Sequence, residues 1–143
     1  DLSGTDDIAG GRTFVRFTSK VSGTRTNRGK IVTDNASAVR FVSSSDRRLK
    51  TNIVDAPSQL SNINSIQVRQ YDWISSGTTS IGVVAQELNT VYPEAVDVGG
   101  DDVNSDPWGV SYQSLVVPLI KAVQEQQQLI EALQTRVTQL ENN

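Results

Sequence analysis

Ser45 and Lys50 stand five residues apart in the string SSSDRRLKTN, residues 43–52. A serine hydroxyl is a weak nucleophile until a base removes its proton, and lysine can be that base as a neutral amine. An unperturbed ammonium titrates near about 10.4, so burial or nearby positive charge must favour the neutral form. Arg47 and Arg48 offer positive neighbours, and Leu49 and Ile53 a dry wall. The serine oxygen would then attack a carbonyl whose oxyanion is held by backbone or amide donors. Gln86 is a candidate donor, and Glu87 a candidate for orienting Lys50. Spacing alone argues little, because a serine and a lysine this close occur by chance in almost any protein. On that reading the string is a solvated linker.

Composition removes most other chemistries. The 143 residues contain no cysteine, histidine or methionine. Disulfides, thiolate nucleophiles and a Ser-His-Asp triad are therefore excluded. No cofactor and no metal site are expected; GGDDVNSDP could offer oxygen ligands to calcium but lacks the EF-hand spacing. The net charge is -3 and no basic tract stands out, so neither nucleic acid nor an anionic membrane is an expected partner. The chain begins at Asp1 and reads as a piece of a longer precursor.

The elements that must carry Ser45 and Lys50 fall into three regions. Residues 1–45 alternate in RTFVRF (12–17), KIVT (30–33) and AVRFV (38–42), which predicts short strands separated by polar turns such as TNRG. Too few apolar residues occur here for an independent core, so copies from several chains would have to pack together. Residues 46–110 predict a small α+β domain. It has a helix over 53–66, a strand over 67–74 with Arg69, Tyr71 and Trp73 on one face, a turn at SSGTTS, and a strand-then-helix in IGVVAQELNTVYP closed by Pro93. GGDDVNSDPWG is a loop.

Residues 111–143 hold one long helix, predicted over 114–141 with Ser114 as N-cap and Pro118 in its first turn. Val116, Leu119, Val123, Gln126, Ile130, Leu133, Val137 and Leu140 follow a 3-4 spacing. Four heptads on an otherwise polar helix favour a coiled coil over a helix packed only on its own domain. Gln126 is the polar d residue, suited to setting register. β-branched a residues with leucine at d suit two strands; the extra apolar Leu115, Ile120, Ala122 and Leu129 suit three.

The ordered strings SDRRLKTNI, QYDW, GVVAQEL, YPEAV and VSYQSLVVPLIKAVQEQ resemble the peptidase S74 family over residues 43–141. These are C-terminal intramolecular chaperone domains of phage tail fibres, tailspikes and neck appendages, endosialidases included; a related self-cleaving domain occurs in the myelin regulatory factor family. The resemblance implies a homotrimer whose partner is the upstream fibre stem of the same precursor, which it folds and then releases. It places a Ser-Lys dyad on Ser45 and Lys50, matches Asp46, Arg48, Asn52, Gln86 and Glu87 to the surrounding motifs, and puts the cut at Ser45–Asp46. Ring geometry alone favours attack by Ser45 on the preceding carbonyl, at Ser44–Ser45, because attack on its own carbonyl closes a strained smaller ring. The mature stem would belong to a virion tail or appendage, with the chaperone left in the host cytoplasm. The competing readings are a trimerisation tip without chemistry and a receptor-binding tip using an exposed Trp108.

Overall fold

A computed structural model of the chain describes residues 7–8, 11–21, 24–33 and 39–142. The fold is α+β, β-rich at its N-terminal part and ending in a long helix. It divides into two compact units, residues 1–54 and 55–143.

In the first unit, β1 (Asp7–Ile8), β2 (Gly11–Val21), β3 (Thr24–Thr33) and β4 (Val39–Ser43) form one antiparallel sheet in that order. Ala38, the first residue of the expected third strand, lies outside the described residues. TNRG is not a turn: residues 26–29 run through the middle of β3. Pairing with β2, joined on the other side by β4 only at Gly29 and by the Ser44 amide at Arg28, outweighs local turn preference. The turn signal survives as a bulge. Phe17 pairs with Gly29 but Thr18 pairs with Asn27, so Arg28 is the extra residue in its strand. A side chain on Gly29 would bring its Cβ within 2.8 Å of the Val42 carbonyl oxygen, so glycine lets β3 and β4 close up here. Val15, Ile31 and Phe41 lie side by side across three strands, and Phe17 and Val39 share their face by alternation. Phe41 is 69% exposed and Phe17 53%, while Val15 and Ile31 are half-buried, so this apolar face is open at its aromatic residues.

The second unit starts in extended chain and reaches α1 (Leu60–Ser65). The hairpin β5 (Arg69–Asp72) and β6 (Thr79–Gly82) follows, then α2 (Ala85–Leu88), the short pair β7 (Val96–Asp97) and β8 (Gly109–Val110), and α3 (Val116–Glu141). Leu88, Tyr92, Ala95 and Leu115 form the buried core, flanked by Ile63, Ile66, Val83, Val91, Val96 and Val110. Truncating a fully buried leucine such as Leu88 to alanine typically destabilises a fold by about 2–5 kcal/mol.

Three expectations about helices need correction. The helix expected over 53–66 is only Leu60–Ser65; a proline, here Pro57, disfavours helical backbone at the residue before it. The helix in AQELNTVYP ends at Leu88, and Pro93 opens a 3-10 turn rather than closing the helix. Ser114 is not the N-cap of the long helix: Leu115 holds that position after a 3-10 turn, Tyr112–Leu115, and the Ser114 hydroxyl pairs with that of Ser111 at 2.9 Å.

Glu125, on α3, provides the cap that α1 lacks. Its carboxylate accepts from the Ser58 hydroxyl at 2.8 Å, from the Leu60 amide at 3.0 Å and from the Gln59 amide. These are the orphan donors at the start of a helix. The Gln59 side chain accepts in turn from the Tyr92 hydroxyl at 2.9 Å, which ties the same corner to the core. α3 therefore leans on its own unit through Leu115, Ala122 and Glu125. Its heptad residues point elsewhere: Val123 is 61% exposed, Leu133 62% and Leu140 69%. Among the described residues no helix is long and apolar enough to cross a membrane.

The amide of Leu60 above all, then Ser58 and Gln59 and the charge of Lys121, hold Glu125 below the usual glutamate range. A depressed carboxylate contributes stability above its unfolded value of about 4.3, and that contribution is lost as pH falls through the lower folded value. Thermal denaturation should therefore show the wild type losing stability below about pH 4.3 more steeply than Glu125→Gln, with the variant less stable at neutral pH.

Candidate active site

Ser45 lies two residues beyond the end of β4. The sheet still holds the residue before it: the Ser44 amide donates to the carbonyl of Arg28, the bulge residue, at 3.1 Å. The Arg28 side chain also donates to the Ser19 hydroxyl at 2.6 Å, fixing the bulge from its other end. The chain then turns through a single 3-10 turn, Arg47–Leu49. Asp46 is its N-cap and accepts from the Arg48 amide at 2.8 Å, as a short acidic side chain at that position does. The Leu49 amide donates to Asp46 O at 3.0 Å and the Lys50 amide to Arg47 O at 3.1 Å.

This turn folds the chain back on itself, so that Nζ of Lys50 sits 2.7 Å from Oγ of Ser45. An ammonium at that distance donates to the hydroxyl; a neutral amine there accepts the hydroxyl proton, which is the first step of nucleophilic attack. The distance meets the geometric requirement. The surroundings within one chain do not meet the electrostatic one, since residues 39–58 are all exposed.

The remaining motif residues fall in distinct places. Arg48 grips Asp46 through Nε at 3.1 Å and Nη2 at 2.6 Å. This guanidinium holds the Asp46 carboxyl below the usual range, and the carboxylate pushes Arg48 up. Asn52 has a φ of 50°, in the left-handed region that asparagine tolerates better than most residues. Gln86 and Glu87 belong to the second unit, where α2 leaves Gln86 exposed and turns Glu87 toward the hairpin. Glu87 accepts from Arg69 Nε at 3.0 Å and Nη2 at 2.9 Å, a bidentate pair joining α2 to β5. The Arg69 guanidinium holds the Glu87 carboxyl below its usual range. On the same face as Arg69, Tyr71 and Trp73 stack edge to face with centroids 5.5 Å apart.

The loop between β7 and β8 uses the Asp102 carboxylate internally. Asp102 accepts from the Asn104 amide at 3.0 Å and from the Ser105 hydroxyl at 2.9 Å. Gly99 lies so close to the Asp106 carbonyl that no side chain would fit. Trp108 is half-buried rather than exposed. Among the described residues no group of three or more acids is placed to hold a metal ion. Arg28, Arg69 and Glu125 are the supporting residues that pattern reading missed. Arg69 could have been found, as the cation on the hairpin's aromatic face; the other two act through partners 16 and 65 residues away in sequence, between Arg28 and Ser44 and between Glu125 and Leu60.

Residues 45–97 match the peptidase S74 family model, described as a chaperone of endosialidase. The match begins at Ser45 and covers the turn, α1, the hairpin, α2 and β7. Its description supports a chaperone role. No curated protein matches the chain.

The bidentate pair makes a local prediction. Glu87→Ala should lower amide-exchange protection across Arg69–Asp72 and Thr79–Gly82, because an isolated two-stranded hairpin is marginal without support. Unchanged protection would mean that the core, not Arg69, holds the hairpin.

Proposed function

We propose that residues 46–143 are a self-cleaving intramolecular chaperone, which trimerises a phage tail-fibre or appendage precursor, folds its β-rich stem and then releases itself by Ser-Lys autoproteolysis. The observation carrying the chemistry is the 2.7 Å contact between Lys50 Nζ and Ser45 Oγ, inside a stretch that matches a chaperone family. What supports assembly is the uncovered seam of α3: Val116, Leu119, Val123, Ile130, Leu133, Val137 and Leu140 are each at least 44% exposed, on a face its own unit does not use. Gln126 would be the polar layer that sets register. The apolar face of the stem sheet, open at its aromatic residues, calls for copies of itself in the same way.

In the reaction, Ser45 Oγ bonds to a carbonyl carbon while its proton passes to Lys50 Nζ. The C–N bond then breaks, the leaving amine takes that proton, and water hydrolyses the ester. For a cut at Ser45–Asp46 the leaving amine is that of Asp46. Attack within one chain would need a strained ring; a dyad acting on a neighbouring subunit's peptide avoids it. Close packing of three chains would also exclude the water that surrounds Lys50 in a single chain, linking cleavage to correct assembly. The stem would end in a virion tail or appendage, and the chaperone would stay in the host cytoplasm. The exposure of Ser45 and Lys50 favours a second reading, a trimerising tip without chemistry.

A denaturing gel separates the two. Wild type should split into residues 1–45 and 46–143, with Asp46 as the new N-terminus by sequencing, while Ser45→Ala and Lys50→Ala stay whole. A whole wild type would favour the tip. An N-terminus at Ser45 would move the cut to the preceding bond. Placing two charges in the seam, as Leu119→Asp with Leu133→Asp, should yield monomers that do not cleave; efficient, concentration-independent cutting by such monomers would reject the dependence on assembly.

A further inference from the structure

Asp46 is the only acid between Asp34 and Asp55, and it stands four residues before Lys50. On a helical turn an acid and a lysine at that spacing are natural ion-pair partners. Such a pair would oppose catalysis, because a carboxylate beside the amine favours the charged form that cannot accept a proton. The structure shows a different pairing. The Asp46 carboxylate takes the Arg48 side chain through Nε and Nη2 and the Arg48 amide besides, and Lys50 turns to Ser45 instead. Among the described residues no carboxylate lies within ion-pair distance of Lys50.

We propose that Arg48 is a positioning residue for the cleavage: by occupying Asp46, it keeps the one nearby carboxylate off Lys50. The inference rests on Ser45 and Lys50 being nucleophile and base. Arginine suits the task better than lysine, because its planar fork meets both carboxylate oxygens at once. An exposed ion pair of this kind contributes little to stability. Its effect here is on where the negative charge sits. The charged groups on Lys50's own turn are Asp46, Arg47 and Arg48, and all of them lie in the exposed stretch 39–58.

Arg48→Ala separates this role from a merely structural one. The bond that caps the turn is donated by the residue 48 backbone amide and survives the substitution; only the guanidinium is lost. An attraction between unit charges about 4 Å apart in water corresponds to roughly a fivefold shift in the neutral fraction of the amine. Cleavage by Arg48→Ala near pH 7 should therefore slow on the order of fivefold, with the midpoint of the pH-rate profile about 0.7 unit higher and wild-type rates recovered at high pH. Arg48→Lys should recover part of the loss. Adding Asp46→Asn to Arg48→Ala should return the profile to its wild-type position, since asparagine still caps the turn but carries no charge.

Competitive acetylation of Lys50 in uncut Ser45→Ala chains, with and without Arg48→Ala, reads the free amine without needing cleavage. Arg48→Ala should lower the labelling near pH 8 by a similar factor. Slowing that is equal at every pH with labelling unchanged, or no effect in either measurement, would overturn the proposal. A wild type that never cuts would overturn the protease reading instead, and the labelling result alone would then decide whether Arg48 shields Lys50.

Discussion

A lysine can take a proton from a serine only where water has stopped competing for its charge. The contact between Lys50 and Ser45 has the required distance, 2.7 Å, but lies on a part of the chain that is open to solvent. Geometry and environment are thus supplied separately. The geometry is local, built from one strand end and one 3-10 turn. The dry environment is not supplied by the described residues of a single chain, where 39–58 are all exposed. This division would suit the single cleavage proposed above. Under the proposed function, a site complete in the nascent chain would act before the stem had folded, whereas a dyad in contact but wet would wait for assembly.

The local half of the arrangement depends on few residues. The Arg28 bulge holds Ser44 from the sheet side, and Asp46 caps the turn from the other. Between them only Ser45 is left to place, and Lys50 is returned to it by two backbone bonds in the turn. The second unit follows the same economy. Glu125 closes the start of α1 from a helix that meanwhile keeps its heptad residues outward, so one helix serves its own core with one face and leaves another exposed.

Much of this was legible in the residue order. The alternation in AVRFV marked β4, and the one-sided Arg69, Tyr71 and Trp73 marked β5 and its stacked pair. The heptad located α3 to within two residues at its start, and the five-residue interval from Ser45 to Lys50 picked out two atoms that do meet. The failures share a cause. TNRG has the composition of a turn, yet pairing with β2 kept it in a strand and reduced the signal to one extra residue. The first helix looked longer than it is because its true start is set by Glu125, far along the chain. Sequence order alone did not show that Arg69 takes both oxygens of Glu87. Local pattern shows which groups are able to interact; it does not show which of several partners wins in space.

The Ser44–Arg28 bond has one more consequence. A break directly after Ser45 would leave β4 as the last strand of the departing stem, its ladder to β3 untouched from Val39 through Ser43 and its penultimate amide still tied down. The new carboxyl end would emerge already stitched into the sheet, with a single residue beyond the final hydrogen bond and almost no loose tail for other proteases to grasp.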